Sequence, residues 1–123
     1  MTHISDQFSL ENKVAIVTGS SKGIGKAIAK GLAQRGAQVV ISSRSQEACD
    51  AVANEFTKEG LKAVGIACHI GKEEQRINLV NTTIAAFGRI DVLVNKYVIK
   101  NYVFMLMDYQ NEKLNIYLKT NFN

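Results

Sequence analysis

The chain has 123 residues, 46% of them apolar and 21% charged, with a formal net charge of +4. That length supports one domain with a core of its own, and the composition is globular rather than disordered or fibrous. No apolar run is long enough to span a bilayer, and the basic residues are scattered among acids. His3 and His69 keep no metal-ligand spacing with Cys49 or Cys68. A membrane, a nucleic acid and a metal ion are therefore set aside as partners. Two single cysteines read as buried thiols of a reducing compartment, and the polar stretch Met1 to Asn12 resembles neither a signal nor a transit peptide, so the expected location is cytoplasmic.

In chain order, Val14 to Val17 is an apolar run that reads as a buried strand. Gly19, Gly23 and Gly25 follow, and Ile24, Ile28 and Leu32 then recur one helical turn apart. This is a strand, a tight glycine turn and the start of a helix. Arg35-Gly36 stops that helix, and Gln38 to Ser42 is a second strand of β-branched character. Gln46 to Glu59 is a second helix with Cys49, Val52, Ala53 and Phe56 on one face, closed by Gly60. Lys62 to Ala67 is a third strand. Lys72 to Phe87 is a third helix with Ile77, Val80, Ile84 and Phe87 on one face and Gly88 as its cap, and Ile90 to Val94 is a fourth strand.

Strict alternation of strand and helix predicts parallel strands joined by crossover helices. Right-handed crossovers put the first two helices on one face of the sheet and the third on the other. The expected strand order is 3-2-1-4, with a ligand crevice at the carboxyl ends where the order reverses. After Asn95 the character changes: all four tyrosines lie there and no Gly, Ala or Arg occurs. Residues 96–107 show no clean period, and Asp108 to Asn121 is read as a helix with Leu114, Tyr117 and Leu118 on one side. Strand four has no fifth strand in view, and an apolar edge of that kind invites association into a homo-oligomer.

The chemistry concentrates at the glycine turn. Glycines let a phosphate approach the backbone, and the first amides of the helix have no partner inside it and carry the positive end of its dipole. A pyrophosphate is the expected guest. The spacing Gly19-x-x-x-Gly23-x-Gly25 differs from both Gly-x-Gly-x-x-Gly and the triphosphate-binding P-loop. The end of strand two, Ile41-Ser-Ser-Arg44, holds no acid to grip a ribose 2′-hydroxyl. Arg44 is a planar, permanently charged fork suited to a phosphate, and Lys22 can approach the same side. Two cations without an acid favour a 2′-phosphate, hence NADP(H) over NAD(H).

Thr18-Gly19-Ser20-Ser21-Lys22-Gly23-Ile24-Gly25 resembles the Thr-Gly-x-x-x-Gly-x-Gly signature of the short-chain dehydrogenase/reductase family. Gly88-Arg-Ile-Asp-Val-Leu-Val-Asn95 resembles the strand that leads to that family's Asn-Asn-Ala-Gly motif. Val40-Ile-Ser-Ser-Arg44 and Ala67-Cys-His-Ile-Gly71 are most similar to its NADP-dependent carbonyl reductases. The resemblance implies an α/β fold, a Rossmann-type doubly wound parallel sheet that stops before the catalytic half. In that reading residues 1–123 are one partial NAD(P)-binding domain, with a core over 10–95 and a divergent tail over 96–123.

The resemblance also implies a cofactor set of Gly19, Ser21, Lys22, Gly23, Ile24, Gly25, Ser43, Arg44, His69, Ile70 and Asn95, with His69 and Ile70 flanking the adenine. Lys96, Tyr97 and Val98 stand where the family has Asn-Ala-Gly, and a Tyr and a Val would fill the space in which a ribose lies against the backbone. Asn121 resembles the Asn of the catalytic set. The family's Tyr acid, helped by a Lys four residues on and by a Ser that orients the carbonyl, has no counterpart in the right order. Tyr109-Gln-Asn-Glu-Lys113 has the spacing but precedes Asn121, and is read as coincidence. Two functions remain. One is hydride transfer between NADP(H) and a ketone, aldehyde or secondary alcohol, represented here by its cofactor-binding half. The other is a catalytically inactive, truncated product that binds the cofactor weakly or acts only through subunit association.

Overall fold

The computed structural model describes residues 9–94 and, beyond them, the backbone of 98–99, 102–106 and 116–120. Four strands and three helices alternate through the first part: β1 (Val14–Thr18), α1 (Gly23–Gln34), β2 (Gln38–Ser42), α2 (Gln46–Lys58), β3 (Ala63–Gly65), α3 (Glu73–Phe87) and β4 (Val92–Val94). The strands are parallel and ordered β3-β2-β1-β4, as the alternation implied. β3 and β4 are shorter than the apolar runs that announced them.

Successive side chains of a strand leave on opposite faces, so each central strand feeds two cores. Ala15, Val17, Val39 and Ile41 join Ala29 and Ala33 of α1 and Cys49, Val52, Ala53 and Phe56 of α2. Ile16 and Val40 join Cys68, Ile70, Ile90 and Leu79 of α3. Two helices thus cover one face and one covers the other, as right-handed crossovers require.

The inner face of α2 is the one read from the sequence; in α1 and α3 Ile28, Leu32, Val80, Ile84 and Phe87 pack against the cores as expected, while the first member of each stripe, Ile24 and Ile77, turns outward. In α1, Gly25, Ala29 and Ala33 are buried, whereas Ile24 is 68% exposed. Small residues bring this helix close to the sheet, with Ile28 and Leu32 packed at the side of the same core. A Cβ built on Gly25 would lie 2.1 Å from the carbonyl oxygen of Gly19, so helix and turn meet backbone to backbone. In α3, Leu79 and Thr83 are buried and Ile77 is 47% exposed. Thr83 returns its Oγ1–H to the Leu79 carbonyl at 2.7 Å and Arg76 donates to the Ile70 carbonyl at 2.8 Å. Hydrogen bonding lets these polar groups take inner positions.

At the amino ends of the strands Asp91 ties β4 to β1. Its N–H donates to the Val14 carbonyl and its Oδ2 accepts the Val14 N–H, both at 2.8 Å. Arg89 grips the same carboxylate with Nε and Nη2. Burial pushes this carboxyl up, but the Arg89 guanidinium and the Val14 N–H more than offset it and hold it below the usual range.

After β4, strands β5 (Val98–Ile99), β6 (Tyr102–Leu106) and β7 (Ile116–Thr120) form an antiparallel sheet in the order β5-β6-β7. This corrects the helix expected over Asp108 to Asn121. Ile116-Tyr-Leu-Lys-Thr120 is rich in β-branched and aromatic residues, and its pairing with β6 outweighs the spacing of Leu114, Tyr117 and Leu118. The remainder of that helix lies outside the described residues.

Two outcomes follow. Gly25→Ala should cost on the order of 3 kcal/mol, because only backbone lies in the path of the new methyl. Thermal melting should then fall by roughly 10–20 °C, and an unchanged melting point would contradict the contact. Because the Asp91 carboxyl is lowered in the folded chain, its contribution is present above the ordinary carboxylate pKa and lost as pH falls through the lowered value. Urea melts below pH 5 should show a shallower loss of stability in Asp91→Asn than in the wild type, and equal slopes would contradict this role.

Candidate functional site

The carboxyl ends of three adjacent strands, β1, β2 and β3, come together at one edge of the sheet. The loops that leave them carry most of the residues singled out in the sequence. After β1, Gly19 and Gly23 adopt φ of 62° and 63°, angles that suit residues without a Cβ. Between them Ser20 is fully buried. Its Oγ donates to the Val17 carbonyl at 2.7 Å and accepts the Ser42 N–H at 3.0 Å, while its N–H reaches the Ser42 carbonyl at 3.1 Å. Ser20 therefore rivets the glycine turn to the end of β2.

Lys22 is the N-cap of α1 in extended backbone, and its side chain makes no capping bond. No acidic residue lies in the first turn of this helix. α2 differs: the Oγ of Ser45 accepts the Ala48 N–H at 3.1 Å, and Glu47 lies in its first turn. The positive end of α1 is thus left for an outside anion, whereas that of α2 is answered from within. Lys22, Gly23 and Ile24 are exposed on the turn and Ser21 is half-buried.

At the end of β2, Ser43 sits with its Oγ 3.2 Å from the thiol of Cys49. Arg44 is exposed, and among the described residues neither its side chain nor that of Lys22 has a hydrogen-bond or ion-pair partner. Their neighbours are spoken for: Lys26 pairs with Glu55 at 3.0 Å and Lys30 with Glu59 at 3.1 Å. Burial raises the pKa of Cys49 and pushes Cys68 up to about 11, so both thiols are neutral at pH 7 and act as small apolar groups.

The segment after β3 is not strand, yet four consecutive N–H groups in it are bound. Those of Ile66 and Cys68 go to carbonyls of Ile41 and Ser43 at 2.9 and 2.8 Å. Those of Ala67 and His69 go to side-chain oxygens of Gln46 and Gln75 at 2.8 and 2.7 Å. His69 is half-buried, and its Nδ1 accepts the Gly71 N–H at 3.1 Å, which makes Nδ1 the unprotonated nitrogen. Ile70 is only 4% exposed and packs in the second core, so its side chain serves the sheet.

The structure therefore gathers Gly19, Ser21, Lys22, Gly23, Ile24 and Gly25 on one turn, places Ser43 and Arg44 beside it, and sets His69 on the next loop. Asn95, Asn121, Tyr109 and Lys113 lie outside the described residues. Ser20, Gln46 and Gln75 do structural work here that no periodicity announces, because each acts by a side-chain bond to a distant backbone. An open cavity of about 240 Å3 bordered by Lys13, Lys62 and Arg89 lies at the opposite, amino ends of the strands. Two of its cations are engaged, Lys62 with Glu11 and Arg89 with Asp91, and none of the residues singled out above borders it.

A family model described as short chain dehydrogenase matches residues 13–123. Dehydrogenase/reductase SDR family member 4 of Oryctolagus cuniculus is 48% identical over 103 residues, 84% of this chain and 40% of that protein. Its Homo sapiens counterpart is 46% identical over the same share of this chain and 37% of its own. Among solved structures, 2-keto-3-deoxy-D-gluconate dehydrogenase from Streptococcus agalactiae superposes with a TM-score of 0.71 at 40% identity, over 78% of this chain and 36% of that one. A metagenomic short-chain oxidoreductase in complex with NADP gives 0.68 at 39%, over 73% and 41%. The chain spans about two fifths of the length of these relatives. A matched region that runs from the start of β1 to the last residue, with the glycine turn inside it, means that this chain belongs to the short-chain dehydrogenase family.

Proposed function

We propose that this chain is the cofactor-binding part of an NADP(H)-dependent oxidoreductase that interconverts carbonyl compounds and alcohols. The observation that carries the reading is the pairing of a helix start without an acid in its first turn with two cations, Lys22 and Arg44, that have no partner among the described residues. Gly19 and Gly23 hold the turn at positive φ and Gly25 lets it lie directly on α1, so a pyrophosphate would meet the first amides of α1. Arg44 stands where NAD-binding relatives of this fold place an acid, and it would hold the 2′-phosphate with Lys22 as a second charge. The solved NADP complex among its structural neighbours agrees with that choice. His69 would border the adenine through its ring. Ile70 would contribute through backbone alone, since its side chain is in the core.

When bound, the cofactor supplies or takes up the hydride. The residues of the glycine turn and of the end of β2 bind and orient it. Asn95 would continue the same wall toward the nicotinamide, and Asn121 is the member of the catalytic set that the resemblance assigns. A small carbonyl or alcohol is the substrate, the assembly is a homo-oligomer, and the location is cytoplasmic, with a peroxisomal location the alternative that the resemblance admits. Among the described residues no helix is long and apolar enough to cross a membrane.

A second reading is favoured by Lys96-Tyr97-Val98, which replace the small residues of the family pattern. Under it the chain binds NADP(H) without turning substrate over, and acts through association with other subunits. NADPH consumption with a reactive dicarbonyl excludes this reading, whereas binding without consumption excludes turnover by this chain alone.

Calorimetry with NADPH and NADH tests the cofactor choice. NADPH should bind the wild type at least about tenfold more tightly, the worth of one charge-assisted phosphate contact. Arg44→Asp should reverse the order. Equal affinities in the wild type, or an unchanged preference in Arg44→Asp, would refute the assignment.

A further inference from the structure

We propose that Gln46 is a positioning residue that holds the adenosine-binding loop at a fixed distance from Arg44. This rests on the NADP(H) reading above. The side-chain amide of Gln46 makes three bonds of 2.8 Å: Nε2 donates to the Gly65 carbonyl and to Asp50 Oδ1, and Oε1 accepts the Ala67 N–H. Along this segment the backbone groups of Ile66 and Cys68 face β2. Those of Gly65 and Ala67 therefore face the open side, beyond the last strand of the sheet. One residue that accepts from position j+1 and donates to position j−1 reproduces the ladder of a parallel strand. Gln46 supplies that rung with a side chain, where among the described residues no further strand lies beside β3.

Gly65 makes the reach possible. A Cβ there would lie 2.8 Å from both the Asp50 carboxylate and the Cys49 carbonyl carbon, and 2.9 Å from the Cys49 Cβ. The first turn of α2 thus rests directly on the end of β3. Gln46 also follows Arg44 by two residues, with Ser45 capping the helix between them. One short stretch therefore carries the phosphate-binding cation and the clamp on the loop that ends in His69. With Gln75 holding the His69 N–H from α3, the loop is fixed from two helices before a ligand arrives. Such preorganisation spares the ligand the ordering of the loop.

The test is calorimetry with 2′,5′-ADP, which carries the adenosine and its 2′-phosphate but no nicotinamide, on the full chain. Gln46→Ala should weaken it about tenfold, and amide exchange at Ala67 should quicken while that at Cys68 does not. Val52→Ala removes core packing from the same helix and should lower the melting point while leaving 2′,5′-ADP affinity unchanged. Gln46→Glu, near in shape and still an acceptor for Ala67, loses both donors and should weaken binding about tenfold too, so the idea stays testable if the alanine variant fails to fold. Wild-type affinity in either Gln46 variant, or an equal loss in Val52→Ala, would overturn the positioning role alone. Failure of the wild type to bind 2′,5′-ADP would overturn the cofactor reading beneath it.

Discussion

The structure depends on one close approach, that of Gly25 on α1 to the carbonyl of Gly19 at the end of β1. No side chain larger than hydrogen fits between them. The contact sets the height of α1 above the sheet, and so the place at which its first amides emerge. Everything that gives this edge of the sheet a chemistry follows from it. The positive end of the α1 dipole lies at the glycine turn, Lys22 caps the helix without a side-chain bond, and Ser20 locks the turn to β2 so that Arg44 arrives alongside. An anion there would meet the first amides of α1, in whose first turn no acid lies, with Lys22 and Arg44 beside them.

The remaining loops are held in a way that suits binding. At the carboxyl edge the chain leaves regular structure, and backbone groups there need partners from elsewhere. Ser20, Gln46 and Gln75 provide them, each bonding across the gap between one loop and the next. At the amino edge the same task falls to Asp91 and Arg89, whose paired charges tie β4 to β1. The two edges are thus tied in different ways. At one, ion pairs engage Lys62 and Arg89, while at the other the loops are bonded through their backbone and Lys22 and Arg44 have no partner among the described residues.

Much of this was legible in the sequence, because burial leaves a period. Val14 to Val17, Val39 to Ile41 and the stripe Cys49, Val52, Ala53 and Phe56 announce their elements and their faces, and alternation with helices then dictates the strand order. The reading slipped where another force chose the face. Gly25, Ala29 and Ala33 face the sheet because small residues permit close packing, which leaves Ile24 exposed. Thr83 and Arg76 face inward because their hydrogen bonds are met there. Ile116 to Thr120 pairs with β6 as a strand, a long-range choice that local spacing does not encode. Within the candidate site the glycines, Lys22 and Arg44 could be found from composition and spacing. Gln46 and Gln75 could not, since a bond from a helix side chain to a remote amide has no local pattern.

The central claim is that an adenine dinucleotide phosphate lies across the ends of β1 and β2, its pyrophosphate on α1. Titration of isotope-labelled protein with NADP+, followed by amide chemical shifts, measures this directly. The account predicts the largest saturable shifts at Gly19 to Gly25 and at Ser43 and Arg44, with smaller ones at Ala67 to His69. Shifts confined to Lys13, Lys62 and Arg89 at the opposite end of the sheet, or none at saturating NADP+, would contradict it.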